Sequence, residues 1–93
     1  MGNDRTDLSA LRSRINEIDD ALVPLFLVRM KVSAQIAEYK RANGLPVRDE
    51  ARERALLDRL SASAGDEMSP YVSELYERIL ALSRAYQEEL LKR

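Results

Sequence analysis

Apolar residues recur at intervals of three and four along the first part of the chain, at Leu8, Leu11, Ile15, Ile18, Leu22 and Leu25. This spacing is typical of one face of an amphipathic helix. The same register continues through Arg29 and Lys40, so two cations interrupt a face that is otherwise apolar. Because a buried charge without a partner is costly, we expect a carboxylate of the protein or an anionic ligand to lie against these groups.

The sequence predicts an all-α fold in one domain, residues 1–93, with one long, one short and one medium helix over about residues 7–42, 49–63 and 69–92. Asp7 and Asp49 are suitable N-caps for the first two helices. Ser69 is the expected N-cap of the third, with Pro70 at its first position. Gly44 follows the long helix and supplies a stop signal. No segment shows the strict apolar–polar alternation of a half-buried strand.

The length of the first helix predicts a second copy of the chain. Pro24 lies inside it, but the apolar spacing passes through without a phase slip, which favours one kinked helix over two separate ones. A helix of this length spans ~54 Å, whereas a compact domain of this size has a radius of gyration of only ~13 Å. The two shorter helices cannot cover so long an apolar face. We therefore expect an intertwined helical-bundle homodimer.

Composition excludes several functional classes. The chain of 93 residues is 45% hydrophobic and 33% charged, which predicts a soluble globular domain. Lys and Arg number 15 against 16 for Asp and Glu, so no bulk basicity points to nucleic acid. No apolar run has the length of a membrane span, and residues 1–7 do not resemble a signal peptide, so a cytoplasmic location is expected. Without Cys or His, metal ligation of the usual zinc type and thiol or His-based catalysis are not expected.

The third helix carries two apolar stripes, one at Val72, Leu75, Ile79, Leu82 and Tyr86, the other at Tyr76, Leu80, Ser83, Gln87 and Leu90. The first stripe is expected to be ordinary core. In the second, Ser83 and Gln87 occupy core register and share a face, because they are four residues apart. Either residue could be structural, since a serine hydroxyl can bond to its own helix. Buried Gln is harder to explain without a ligand.

Charged residues elsewhere have acceptable structural explanations of their own. Asp49 can cap the second helix, Glu53 can interact with its dipole, and Arg52 can pair with a nearby carboxylate.

Arg12 lies ~25 Å from Arg29 along a straight helix, so one chain cannot bring both to one small ligand. Arg12 from an antiparallel helix of a second copy could reach that ligand.

Taken together, these residues favour a ligand site over a structural cluster. Arg29, Lys40, Ser83 and Gln87 are donors that interrupt apolar stripes, and Glu53 is the carboxylate best placed to join them. Two or three cations, an amide, a hydroxyl and one carboxylate suit a small dianion that also carries a hydroxyl group.

The same residues carry a resemblance to a known family. Over Leu8–Leu91 the sequence resembles the all-α class of chorismate mutase, in the stretches LRSRINEIDDALVPLFLVRM, AEYKRANGLPVRDEARERALLDRL and LSRAYQEEL. The resemblance implies a homodimeric enzyme of phenylalanine and tyrosine biosynthesis. Such an enzyme converts chorismate to prephenate by a unimolecular [3,3] rearrangement, with no metal and no cofactor.

Carried over by position, the resemblance assigns a role to each candidate. Arg29, with Arg12 of the second subunit, would clamp the two carboxylates, and Ser83 would contact one of them. Lys40 and Gln87 would donate to the ether oxygen. Glu53 would accept from the ring hydroxyl, with Asp49 at the same end of the pocket and Arg52 in support.

Two other functions remain open at this point. Isochorismate-pyruvate lyases share the fold and the basic residues, although the segment with Asp49 and Glu53 is closer to the mutase pattern. A non-catalytic helical dimerisation module would instead pair Arg29 and Lys40 with carboxylates across its interface.

Overall fold

The computed structural model describes residues 7–93, and within them the chain forms three α-helices and no strand. The helices are α1 (Leu8–Ala42), α2 (Glu50–Ser63) and α3 (Ser69–Leu91). The predicted all-α class and the three helices are confirmed. Residues 1–6, which make up most of the N-terminal segment compared above with a signal peptide, lie outside the described residues. No helix in the described part of the chain combines the length and apolar character that a membrane crossing requires.

Helix α1 begins and ends at the predicted signals. The Asp7 carboxylate accepts a hydrogen bond from the Ala10 amide (2.8 Å), as an N-cap does. The helix continues through Pro24 without a break, so the alternative of two separate helices is wrong. At its end Gly44 has a φ of +66°, and the Leu45 amide donates to the Lys40 carbonyl (2.8 Å). This is a Schellman closure, which needs the left-handed conformation that glycine adopts at little cost.

The chain divides into two compact units, residues 7–31 and 32–93 of the described part. The first unit consists of the N-terminal portion of α1. Its apolar stripe is exposed throughout, from 41% for Leu11 to 67% for Leu25. A single chain therefore leaves this face of α1 in water.

The second unit contains the rest of α1 together with α2 and α3, and here α2 packs against α3. Its buried apolar residues are Ala37, Leu56 and Leu80. On α3 the buried stripe is the one that contains Leu80, whereas Leu75 and Leu82 of the other stripe are exposed. Val72, Ile79 and Tyr86 of that stripe are half-buried, so the expectation that it is ordinary core is met in part by the single chain and stays a prediction for the homodimer.

The starts of α2 and α3 differ in how they are capped. Asp49 is extended, and its carboxylate accepts from the Arg52 amide (3.0 Å), as predicted. The prediction of Ser69 as N-cap is wrong, since Ser69 lies inside α3 and Met68 precedes it without a side-chain cap. The chain enters α3 from a turn in which the Ser69 amide already donates to the Gly65 carbonyl (2.9 Å). Met68 is helical as a result, and side-chain capping requires an extended residue at that place.

Candidate functional site

A buried chain of polar side chains lies between α1 and α3 in the second unit. Ser33 of α1 and Ser83 of α3 share a hydrogen bond of 2.6 Å between their Oγ atoms. Gln87, one turn beyond Ser83, donates from Nε2 to the same Ser83 Oγ (3.3 Å). The three residues are only 5%, 6% and 6% exposed. The predicted pair Ser83 and Gln87 is therefore in direct contact, and Ser33 completes the chain.

One atom of this chain is unsatisfied. Gln87 Oε1 is buried and has no hydrogen-bond partner within residues 7–93. An unpaired buried acceptor costs about 1–3 kcal/mol, which a folded domain seldom retains without a reason. The orphaned end of the Gln87 carboxamide is thus a place where a polar group of a ligand would be stabilising.

Glu53 of α2 is held by two arginines. Arg84 of α3 donates from Nη1 to Glu53 Oε1 (2.6 Å), and both side chains are half-buried. Arg48 Nε lies 3.8 Å from the same oxygen. Because both contacts are made to Oε1, Oε2 is the oxygen left to accept from a ligand hydroxyl. The position of Arg84 next to Ser83 in sequence brings this ion pair to the same segment of α3 as the buried polar chain.

Lys40 lies in the last turn of α1 and is half-buried. Its Nζ donates to the carbonyl of Val47 (2.5 Å), in the loop between α1 and α2. This bond fixes the ammonium group and uses one of its three donors, so two remain for a ligand. Val47 is adjacent to Arg48, and the Lys40 anchor therefore belongs to the same loop that supplies a partner of Glu53.

The remaining two candidates on α2 have different surroundings. Asp49 uses Oδ1 as the helix cap described above. Arg52 is exposed and takes part in this cap through its backbone amide. A structural role is thus observed for Asp49, while ligand binding by Asp49 and support of the site by Arg52 stay predictions.

An open cavity of about 350 Å³ lies on the surface of the second unit and includes Glu53 in its wall. Its lining also contains three other carboxylates, those of Glu50, Asp58 and Glu77. A wall with four carboxylates repels an anion, despite the arginines beside them. We therefore do not place a site for a dianion in this cavity.

The sequence matches the family described as chorismate mutase type II over residues 11–88, most of the chain. The chain belongs to this family. The resemblance found from the sequence stretches is confirmed, and the polar side chains described above can be considered as those of a chorismate mutase type II domain.

Three relatives illustrate the range of the chorismate mutase type II family. A bifunctional chorismate mutase/prephenate dehydratase of Buchnera aphidicola subsp. Schizaphis graminum is 35% identical over 91 residues, which cover 96% of this chain and 24% of that protein. A bifunctional chorismate mutase/prephenate dehydratase of Escherichia coli (strain K12) is 33% identical over 87 residues, which cover 91% of this chain and 22% of that protein. A chorismate mutase of Methanocaldococcus jannaschii is 34% identical over 53 residues, 57% of this chain and 54% of the relative. The chain spans about a quarter of the length of the two bifunctional relatives.

Arg12 and Arg29 belong to the first unit of this chorismate mutase type II domain. Both lie on α1, where Arg12 is exposed and Arg29 is half-buried. Their separation along one helix agrees with the argument that a single chain cannot bring both guanidinium groups to one small ligand. Their roles as carboxylate clamps stay predictions.

Sequence reasoning missed three side chains that contact the candidates, those of Ser33, Arg48 and Arg84. Ser33 could have been found, because it lies four residues after Arg29 and seven before Lys40, on the face that carries both cations. Arg84 gives no such signal. It follows Ser83 directly, outside both apolar stripes of α3, and only the packing of α2 on α3 brings it to Glu53.

Proposed function

We propose that this domain catalyses the rearrangement of chorismate to prephenate, in the cytoplasm, as a step toward phenylalanine and tyrosine. The observation that carries the proposal is the Gln87 carboxamide, which a member of the chorismate mutase type II family keeps buried with one unpartnered polar atom. The names of the relatives from Buchnera, Escherichia coli and Methanocaldococcus give them the same activity.

The chemistry of the reaction fits the side chains available. One C–O bond of an ether breaks while one C–C bond forms in the same molecule, so no nucleophile, oxidant or proton transfer is required. The protein must hold the reactive conformer and stabilise the negative charge that grows on the ether oxygen. A fixed ammonium group at Lys40 is suited to that second task. So is the NH2 group of Gln87, once the carboxamide turns to present it to the substrate in place of the unpartnered Oε1.

The other candidates would bind the parts of the substrate that do not react. Arg29, with Arg12 of a second subunit, would clamp the two carboxylates, to one of which Ser83 adds a contact. Glu53 would accept from the ring hydroxyl through Oε2, because its Oε1 is engaged by Arg84. Asp49 would lie at the same end of the pocket. Binding energy from these groups would position the substrate, whereas Lys40 and Gln87 act mainly on the transition state.

The exposed stripe of α1 supports a homodimer as the functional form. An apolar face that follows the helix from Leu8 to Leu25 is too continuous for the surface of a single soluble chain. A second copy offers an identical face, and twofold pairing of identical surfaces is the commonest way to cover one. Antiparallel pairing of the two α1 helices would bring Arg12 of one subunit toward Arg29 of the other.

Turnover of chorismate by the purified chain tests the proposed activity. We expect chorismate to disappear and prephenate to form in equal amounts, without added metal. Isochorismate is the matched substrate, and it should yield neither salicylate nor pyruvate. Release of those two products would favour the lyase of the same fold, and a folded chain that converts neither substrate would contradict both enzymes.

Subunit complementation tests the donation of Arg12. Arg12→Ala and Lys40→Ala chains should each have little activity, because each homodimer lacks one group in both sites. When the two are unfolded, mixed in equal amounts and refolded, random pairing should restore about a quarter of wild-type activity, since half the dimers then hold one intact site. Each variant refolded alone is the control. No recovery in a mixture that demonstrably contains heterodimers would place Arg12 in the site of its own subunit or outside the site.

A further inference from the structure

The hydrogen-bonded chain from Ser33 to Gln87 has a direction, because each hydroxyl group carries one hydrogen. In the direction observed, Gln87 Nε2 donates to Ser83 Oγ, while either oxygen of the 2.6 Å contact between Ser33 and Ser83 can be its donor. In this direction one amide hydrogen of Gln87 bonds to Ser83 inside the protein, and Gln87 Oε1 is left without a partner. In the opposite direction Ser33 donates to Ser83, and Ser83 donates to the Gln87 oxygen.

The opposite direction changes what Gln87 presents to a ligand. A half-turn of the carboxamide about its terminal bond places Oε1 next to Ser83 and moves the NH2 group to where the orphaned oxygen now lies. The chain of donors then ends in two amide hydrogens instead of one unpaired acceptor. A hydrogen-bond acceptor on the ligand, such as an ether oxygen, is complementary to this second arrangement only.

We propose that Ser33 is a positioning residue that sets, through Ser83, which end of the Gln87 carboxamide faces the substrate. The proposal rests on the proposed function in its choice of an ether oxygen as the partner of Gln87. It replaces the contact of Ser83 with a substrate carboxylate, because the one hydroxyl hydrogen of Ser83 then goes to Gln87. Ser33 acts by donating its hydrogen to Ser83 Oγ, which leaves the Ser83 hydrogen for Gln87. Burial of both serines removes water as a competing donor, so the 2.6 Å contact between them controls the direction.

Loss of the Ser33 hydroxyl should lower kcat and leave substrate binding almost unchanged. Without the Ser33 donor, nothing opposes the bond from Gln87 Nε2 to Ser83 Oγ, and a larger part of the population holds the amide in the unproductive orientation. For Ser33→Ala we expect kcat to fall roughly 2- to 10-fold, the effect of one neutral hydrogen bond, with KM within about 2-fold of wild type. Ser33→Cys, which keeps the side-chain size with a weak donor, should show a similar loss. Ser63→Ala is the control, because Ser63 is exposed and bonds only to its own helix.

A double-mutant cycle separates positioning from a general structural effect. If Ser33 acts through Gln87, then Ser33→Ala should change kcat by less than about 2-fold when Gln87 is already leucine. An undiminished effect in the Gln87→Leu background would overturn the proposal. So would a Ser33→Ala chain that melts at a lower temperature with wild-type kcat.

A measurement without substrate keeps this proposal distinct from the proposed function. In the 15N-labelled protein, the side-chain amide signals of Gln87 should shift in Ser33→Ala and stay in place in Ser63→Ala. If Ser33→Ala shifts the Gln87 signals while the wild-type chain converts no chorismate, the control of Gln87 by Ser33 is supported and the proposed activity is contradicted. Unshifted Gln87 signals in Ser33→Ala would overturn the role of Ser33, whatever the turnover.

Discussion

Replacement of Lys40 by alanine should lower kcat roughly 1,000-fold, the upper range for loss of one preorganised group that stabilises transition-state charge. The substrate has little charge on its ether oxygen before reaction, so KM should change far less than kcat. Lys40 also donates to the Val47 carbonyl, and loss of that bond should lower the free energy of unfolding by about 1–2 kcal/mol. Steady-state kinetics, measured well below the melting temperature of the variant, test this prediction.

A matched variant controls for the loss of a lysine from α1. Lys31 lies on the same helix, is exposed, and is not among the candidates, so Lys31→Ala should keep wild-type kinetics. A folded Lys40→Ala chain with wild-type kcat would remove Lys40 from the catalytic groups. It would favour the non-catalytic dimerisation module, in which Lys40 only closes the loop before α2.

The fold is predicted well from the sequence where local physics decides the outcome. The regular spacing from Leu8 to Leu25 predicts α1, and the Asp49 cap and Gly44 stop agree with the backbone. The prediction fails at Ser69, where the turn that precedes α3 is itself helical and removes the geometry a cap needs. A favourable residue type thus marks the neighbourhood of a helix start, while the conformation of the preceding turn decides which residue is the N-cap.

The sequence predicts those residues of the candidate site that interrupt the apolar pattern of a single helix. Ser83 and Gln87 are recognisable because they replace apolar residues in a stripe, and both are buried. The partners of those residues depend on how helices pack, which spacing within one helix does not specify. Ser33 shares a face with two cations and could have been included, whereas Arg84 meets Glu53 only through the contact of α3 with α2.

Gln87→Leu should separate stability from activity. Leucine removes the orphaned buried oxygen, which costs about 1–3 kcal/mol, and adds apolar contact in its place. Ser83 loses the donor from Gln87 but keeps its 2.6 Å bond to Ser33. We therefore expect a melting temperature equal to or above that of wild type, together with a kcat roughly 100-fold lower because one donor to the ether oxygen is gone. Thermal unfolding followed by circular dichroism and chorismate kinetics on one preparation test both parts.

Gln35, the other glutamine of the chain, provides the control for Gln87→Leu. Gln35 is exposed on α1, so Gln35→Leu should leave kcat unchanged. Wild-type kcat in a folded Gln87→Leu chain would mean that the buried amide is structural and that the orphaned oxygen marks no ligand. A melting temperature several degrees below wild type would mean that Gln87 stabilises the fold through its amide, since a leucine of similar size already satisfies the packing. A stable, slow Gln87→Leu enzyme is the result expected if stability is sacrificed at this position for a donor that acts only in the transition state.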